Sequence, residues 1–170
     1  MGSACDHDHT DTRPSAGAVA RALGAAEARC GAEGERLTAP RRRVLELLLE
    51  AAEPVKAYDL IARYGRDGQT AKPPTVYRAL DFLEKRGLAH RIASITAYVA
   101  CTGQGPEHAA AFLICDCCGA TQEVAGEAAL GLVQAAADAG YEIERTTLEA
   151  HGRCRNCRTD TPVVPEGGSA

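Results

Sequence analysis

Two pairs of cysteines carry the most specific chemistry in this chain. Cys115 and Cys118 are two residues apart, and so are Cys154 and Cys157. A Cys-x-x-Cys turn presents two sulfurs to one ion, and two such turns complete a tetrahedral thiolate site that suits zinc. The stretch between the pairs is longer than a zinc-ribbon loop and reads as strand, helix and strand. The site is therefore expected to staple the start of a small folded unit to its end. Gly119 and Gly152 stand where tight knuckles need them, and Cys117, inside the first knuckle, is expected to remain unliganded. A redox Cys-x-x-Cys would need a thioredoxin-like βαβ pattern and would leave the second pair without a role. The chain has eight cysteines, and in a reducing compartment clustered cysteines point to metal rather than disulfides.

A second group of metal-binding side chains is scattered: His90, Cys101, His108 and Glu123. One ion held by all four would tie two parts of the chain together. Each also has an ordinary reading, since a lone His is often only partly buried and a Cys often packs as a small hydrophobe. Spacing does not choose between these readings. Cys5, His7 and His9 read as incidental residues of a polar tail, and His151 as structural or part of a weak third site.

The elements that must position these groups can be read from periodicity. An Ala-rich run from Ala16 to about Ala32 favours a helix. Thr38 sits where an N-cap belongs and Pro40 in the first turn of a second helix, whose apolar face is Val44, Leu45, Leu47, Leu48 and Leu49. This helix is expected to stop near Glu53-Pro54. A third spans about Ala57 to Tyr64. Pro73-Pro74 opens a fourth, and Gly87 closes it. Val76, Leu80 and Leu83 then face inward, while Tyr77, Arg78, Asp81 and Lys85 face out. The segments around His90 and Tyr98 read as two short strands. Helices followed by a two-stranded ribbon describe a winged helix, whose last helix fits the DNA major groove. Arg78 could then read a guanine edge, and Tyr77 a phosphate or thymine methyl; the ordinary alternative is a solvated helix face.

Charge distribution agrees with a nucleic-acid surface in the middle of the chain. Residues 36–91 hold 12 Lys/Arg against 7 Asp/Glu, although the whole chain has a net charge of −4. A basic centre with acidic flanks can bind phosphate where the sum of charges would not. No stretch is apolar enough to span a membrane, and the first residues lack the basic and apolar regions of a secretory signal. A cytoplasmic protein is expected. Residues 102–108, rich in Gly and Pro, read as a hinge. The expected organisation is a disordered tail over 1–14, a winged-helix unit over 15–101, the hinge, a zinc-stapled unit over 109–158 and a disordered tail over 159–170.

The runs AKPPTVYRALDFLEKRGLAHRI, YVAC, HAAAFLICDCCGATQEV and EAHGRCRNC together resemble the ferric uptake regulator superfamily, and most of all its zinc-uptake branch. The resemblance extends over about residues 20–158. It implies an α+β fold with an N-terminal winged helix-turn-helix domain and a small C-terminal α/β dimerisation domain stapled by zinc. It implies a homodimeric repressor with zinc as corepressor, acting on palindromic operators of zinc-uptake genes. Two zinc ions per chain follow: a structural one on Cys115, Cys118, Cys154 and Cys157, and a regulatory one on His90, Cys101, His108 and Glu123. It also makes Tyr77, Arg78 and Tyr58 the expected DNA contacts. Iron-sensing relatives carry a His-rich stretch before the first Cys-x-x-Cys, where this chain has only His108; a site containing soft thiolate favours zinc over ferrous iron. A sensor of ferrous iron, manganese or peroxide on the same fold is the alternative function. A thiol switch using Cys30, Cys101 or Cys117 is another. An enzyme is not expected, and neither is a small-molecule substrate or a membrane partner. Both zinc sites use four protein ligands and leave no open position for a reacting group.

Overall fold

The computed structural model describes residues 14–51, 53–65, 72–101, 110–124, 130–143 and 146–158. Both expected tails (apart from Pro14), the expected hinge and His108 lie outside the described residues.

Helix α1 (Ala16–Ala32) begins at Ser15, whose hydroxyl accepts the Ala18 N–H at 3.2 Å. Its buried residues Val19, Leu23, Ala26 and Cys30 fall three or four positions apart, one face of a helix. Helix α2 (Ala39–Leu49) starts after Thr38 with Pro40 in its first turn, but the Thr38 side chain makes no capping bond. It ends at Leu49, before the expected Glu53-Pro54 stop. Val44, Leu45, Leu47 and Leu48 are buried against the helices that follow. These are α3 (Ala57–Gly65) and α4 (Pro73–Lys85).

Helix α4 buries Val76, Ala79, Leu80 and Leu83 and leaves Tyr77, Arg78, Asp81 and Lys85 exposed. It ends where Gly87 takes a φ of 56°, and Leu88 N–H donates to Leu83 O at 2.8 Å, so the last carbonyls find donors without extending the helix. The Arg41 guanidinium lies 3.4 Å from the Phe82 ring centroid, sealing the α2–α4 seam with a cation over an aromatic face.

The wing is a sheet of three strands rather than the expected two. Strand β1 (Val55–Lys56) pairs antiparallel with β3 (Ala97–Ala100), which pairs antiparallel with β2 (Ala89–Ile92), giving the order β1-β3-β2. Two residues between a proline and a helix carry no alternation to read, which is why β1 escapes periodicity. With α2, α3 and α4 it completes a winged helix.

The second sheet has the order β5-β4-β6, with β4 (Ala110–Cys115) in the centre, β5 (Thr121–Val124) antiparallel to it and β6 (Thr147–Gly152) parallel to it. A parallel neighbour requires a crossover, and α5 (Leu130–Asp138) lies on it. Ala110, Phe112 and Ile114 project from one face of β4 and form a core cluster with Ile92, Ile95 and Val99 of the wing. On the opposite face Ala111 and Cys115 are buried but Leu113 is 48% exposed; on α5, Leu132 (48%) and Val133 (45%) are exposed too.

Candidate metal centres and nucleic-acid interface

The parallel β4/β6 pair explains how the two Cys-x-x-Cys turns meet. Cys115 at the end of β4 lies opposite Gly152 at the end of β6, so the turn after each strand emerges at the same end of the sheet. Asp116 N–H donates to Gly152 O at 2.8 Å, extending the ladder into the turns. Gly119, at φ 76°, lets the first turn fold back, and Cys115 N–H donates to Ala120 O at 2.9 Å. Gly152 continues β6 without a left-handed turn, contrary to the expected knuckle; a short 3-10 turn over Arg155–Cys157 supplies the bend instead.

The four sulfurs of Cys115, Cys118, Cys154 and Cys157 all lie within 4.8 Å of one another, and the Cys118 and Cys154 Sγ atoms are 3.8 Å apart. A tetrahedron with metal–sulfur bonds of about 2.3 Å has edges of about 3.8 Å, so the donor set fits zinc in number, softness and size. Cys117 is not one of the four. Backbone N–H groups of Cys154 and Cys118 draw the Cys115 thiol down to about 6, and the Cys154 N–H reaches its sulfur at 3.3 Å. Burial and the neighbouring thiols push Cys157 up to about 12. Four sulfurs this close cannot all ionise unaided, and a divalent cation removes that conflict.

The second cluster gathers side chains from three separate stretches. His90 lies on β2, Cys101 just beyond β3 and Glu123 on β5, and one ligand atom from each falls within 4.8 Å of the others. His90 Nε2 and Glu123 Oε1 are 3.9 Å apart. Metal–ligand bonds of about 2.0–2.2 Å would bring that edge to about 3.4 Å, a small side-chain rotation away. His90 is only 7% exposed, and its ring meets Phe112 at 5.9 Å between centroids. A buried imidazole needs a polar partner or an ion. The fourth expected member, His108, lies outside the described residues.

His151 stands apart from both clusters, with Nδ1 2.8 Å from Asp116 Oδ1. Cys30 is buried, and burial followed by the nearby Glu33 charge raises its thiol pKa, so it is poorly suited to a redox switch. Tyr58 on α3 and Tyr77 on α4 are 79% and 52% exposed, and Arg78 is exposed beside Tyr77. Large aromatic rings held out in solvent next to a guanidinium form a surface suited to a polyanion.

One contact between the sheets was not legible in the sequence. The carboxylate of Glu149 on β6 accepts the N–H groups of Ala93 and Ser94, in the turn between β2 and β3, at 2.7 and 3.1 Å. A charged residue on the inward face of a strand, between Leu148 and Ala150, is the local sign that could have exposed it.

Residues 32–158 match the Ferric uptake regulator family. The chain belongs to this family. It is 39% identical over 137 residues to the zinc uptake regulation protein of Escherichia coli (strain K12), covering 79% of this chain and 80% of the relative. It is 30% identical over 132 residues to the zinc uptake regulation protein of Mycobacterium tuberculosis (strain ATCC 25618 / H37Rv), covering 75% and 98% of the two chains. Among solved structures it is similar to a zinc uptake regulator complexed with zinc and DNA, at a TM-score of 0.74 and 38% identity, covering 82% of this chain and 94% of that one. As in its family relatives, the fold joins a winged helix to a small α/β unit. Among the described residues no helix is long and apolar enough to cross a membrane.

Proposed function

We propose that this member of the ferric uptake regulator family is a cytoplasmic, homodimeric, zinc-responsive transcriptional repressor, with zinc as corepressor at palindromic operators of zinc-uptake genes. The observation that carries the reading is the convergence of His90, Cys101 and Glu123. Two of these belong to the wing and one to the second sheet, so they meet only when the two units adopt one mutual orientation. The relatives named as zinc regulators, and the zinc-and-DNA complex among them, support the same reading.

The two clusters take different parts. Cys115, Cys118, Cys154 and Cys157 are assigned a structural zinc, and His90, Cys101, His108 and Glu123 a regulatory one. Bound there, zinc would supply an attachment point shared by both units. The unit over 15–101 presents α4, with Tyr77 and Arg78 facing the major groove and Tyr58 the adjoining backbone. The unit over 109–158 pairs with a second copy, and residues 102–108 join the two. A dimer reads two half-sites about 34 Å apart. The angle between α4 and the pairing face therefore decides whether both helices enter DNA together. A 100-fold zinc-dependent gain in operator affinity corresponds to about 2.7 kcal/mol of coupling, within the range of known allosteric effects.

The test is a titration of operator binding with zinc, ferrous iron and manganese under reducing conditions. Zinc alone should promote tight binding at low free-metal concentration. Equal or stronger promotion by iron or manganese would make the protein a sensor of that ion instead.

A further inference from the structure

The wing hairpin is held to the second sheet at two places, and only one of them involves the metal cluster. Glu123 on β5 and Glu149 on β6 both lie opposite Phe112 of β4, so all three side chains occupy one row on one face of the sheet. At one end of the row Glu123 meets His90 of β2. At the other, Glu149 Oε1 and Oε2 accept the Ala93 and Ser94 N–H groups at the tip of the same hairpin. Between them Phe112 packs with Ile92, Ile95 and Val99.

The spacings agree. Three residues along a strand, from His90 to Ala93, advance about 10 Å, and two strand separations, from β5 across β4 to β6, also come to about 10 Å. Strand β2 thus crosses the second sheet with each end over a different edge strand. A single attachment leaves rotation about itself open, whereas two attachments this far apart fix a direction.

We propose that Glu149 is a positioning residue: a metal-independent carboxylate anchor for the wing tip that, with the regulatory zinc site, sets the angle of the recognition helix. This rests on the DNA-binding function proposed above. Two consecutive amides aimed at one carboxylate form a geometry in which charge strengthens both bonds. Burial pushes the Glu149 pKa upward, but the Ser94 side chain, the two amides and the neighbouring His151 bring it below the ordinary value, so the group is a carboxylate at neutral pH. The tip amides are exposed but already satisfied by Glu149, so they are not left for DNA phosphates. A carboxylate anchor at the tip holds the hairpin to the sheet through bonds that need no metal. The regulatory ion then fixes the rotation that this one attachment leaves open.

The test uses the full-length dimer carrying Glu149→Ala, with Glu149→Gln as the near-isosteric variant should the first fail to fold. Three quantities are read: zinc bound per chain, hydrogen exchange at the Ala93 and Ser94 amides, and affinity with and without zinc for a palindromic duplex selected from random DNA by the wild-type protein. Expected are unchanged zinc content, at least roughly tenfold faster exchange at those two amides but not within β2 and β3, and roughly tenfold weaker zinc-loaded DNA binding. Glu149→Gln should lie between, since its single carbonyl can accept one amide while its NH2 opposes the other. Unchanged exchange at both amides, or wild-type DNA affinity in zinc-loaded Glu149→Ala, overturns the proposal. If the wild-type protein selects no duplex or ignores zinc, the repressor reading fails, and the exchange measurement still judges the anchor.

Discussion

The thiolate cluster and the His90–Cys101–Glu123 cluster have similar dimensions but differ in what must be folded before they exist. The four cysteines come from turns at one end of a single sheet, brought together by the β4/β6 ladder. The second cluster draws on the wing and the second sheet, and its geometry depends on how these are placed. A metal in the first stabilises one unit whatever the other does. A metal in the second reports and fixes a relation between units. Ligands drawn from one folding unit suit a structural role, and ligands shared between two suit a switch.

Breaking the first cluster should have the largest effect. Cys118→Ser should cost the second sheet its staple; calorimetry and sedimentation should show a lowered melting temperature and loss of the dimer, because structural zinc binding is worth roughly ten kcal/mol or more. Cys101→Ser should leave the melting profile and dimer near wild type while removing most of the zinc response, about 100-fold in operator affinity by the coupling estimated above. If the two variants lose the same properties, the contrast between the clusters is wrong. Arg78→Ala should leave both clusters and the zinc response ratio intact and weaken specific operator binding by about 1–3 kcal/mol, read by fluorescence anisotropy. Equal affinity would remove α4 from the reading role. The smallest effect is expected at Thr96, whose φ of 52° is strained for a β-branched residue. Thr96→Gly should raise stability by up to about 1 kcal/mol in denaturant unfolding, with zinc content unchanged. A loss of stability would mean that its side chain contributes more to the turn than its backbone costs.

What was legible in the sequence follows the distance over which each feature is encoded. The Cys-x-x-Cys pairs announce themselves because a turn of four residues fixes two ligands, and the helices because Val76, Leu80 and Leu83 repeat with the helical period. The second cluster could not be read from spacing, since His90, Cys101 and Glu123 belong to different elements and only tertiary structure joins them; family resemblance supplied that grouping. Strand β1 was too short to show a pattern. The bend after Gly152 was misplaced because a glycine near a cysteine pair suggests a knuckle, whereas the ladder to Cys115 keeps it extended. Glu149 escaped because a lone acidic residue between apolar neighbours in a strand is only a faint local sign; its role comes from two amides more than fifty residues away.

The parallel pairing of β4 with β6 also bears on how the protein is made. As the chain leaves the ribosome, β4 and β5 emerge with Cys115 and Cys118, half a binding site on an open strand edge. The partner strand and the remaining two thiols follow only after the crossover has been translated. A nascent or prematurely ended chain therefore carries a sticky edge and a pair of reactive thiols together, which favours aggregation and attack by proteases. In the proposed assignment, capture of zinc by all four cysteines would mark the moment at which that vulnerable interval closes.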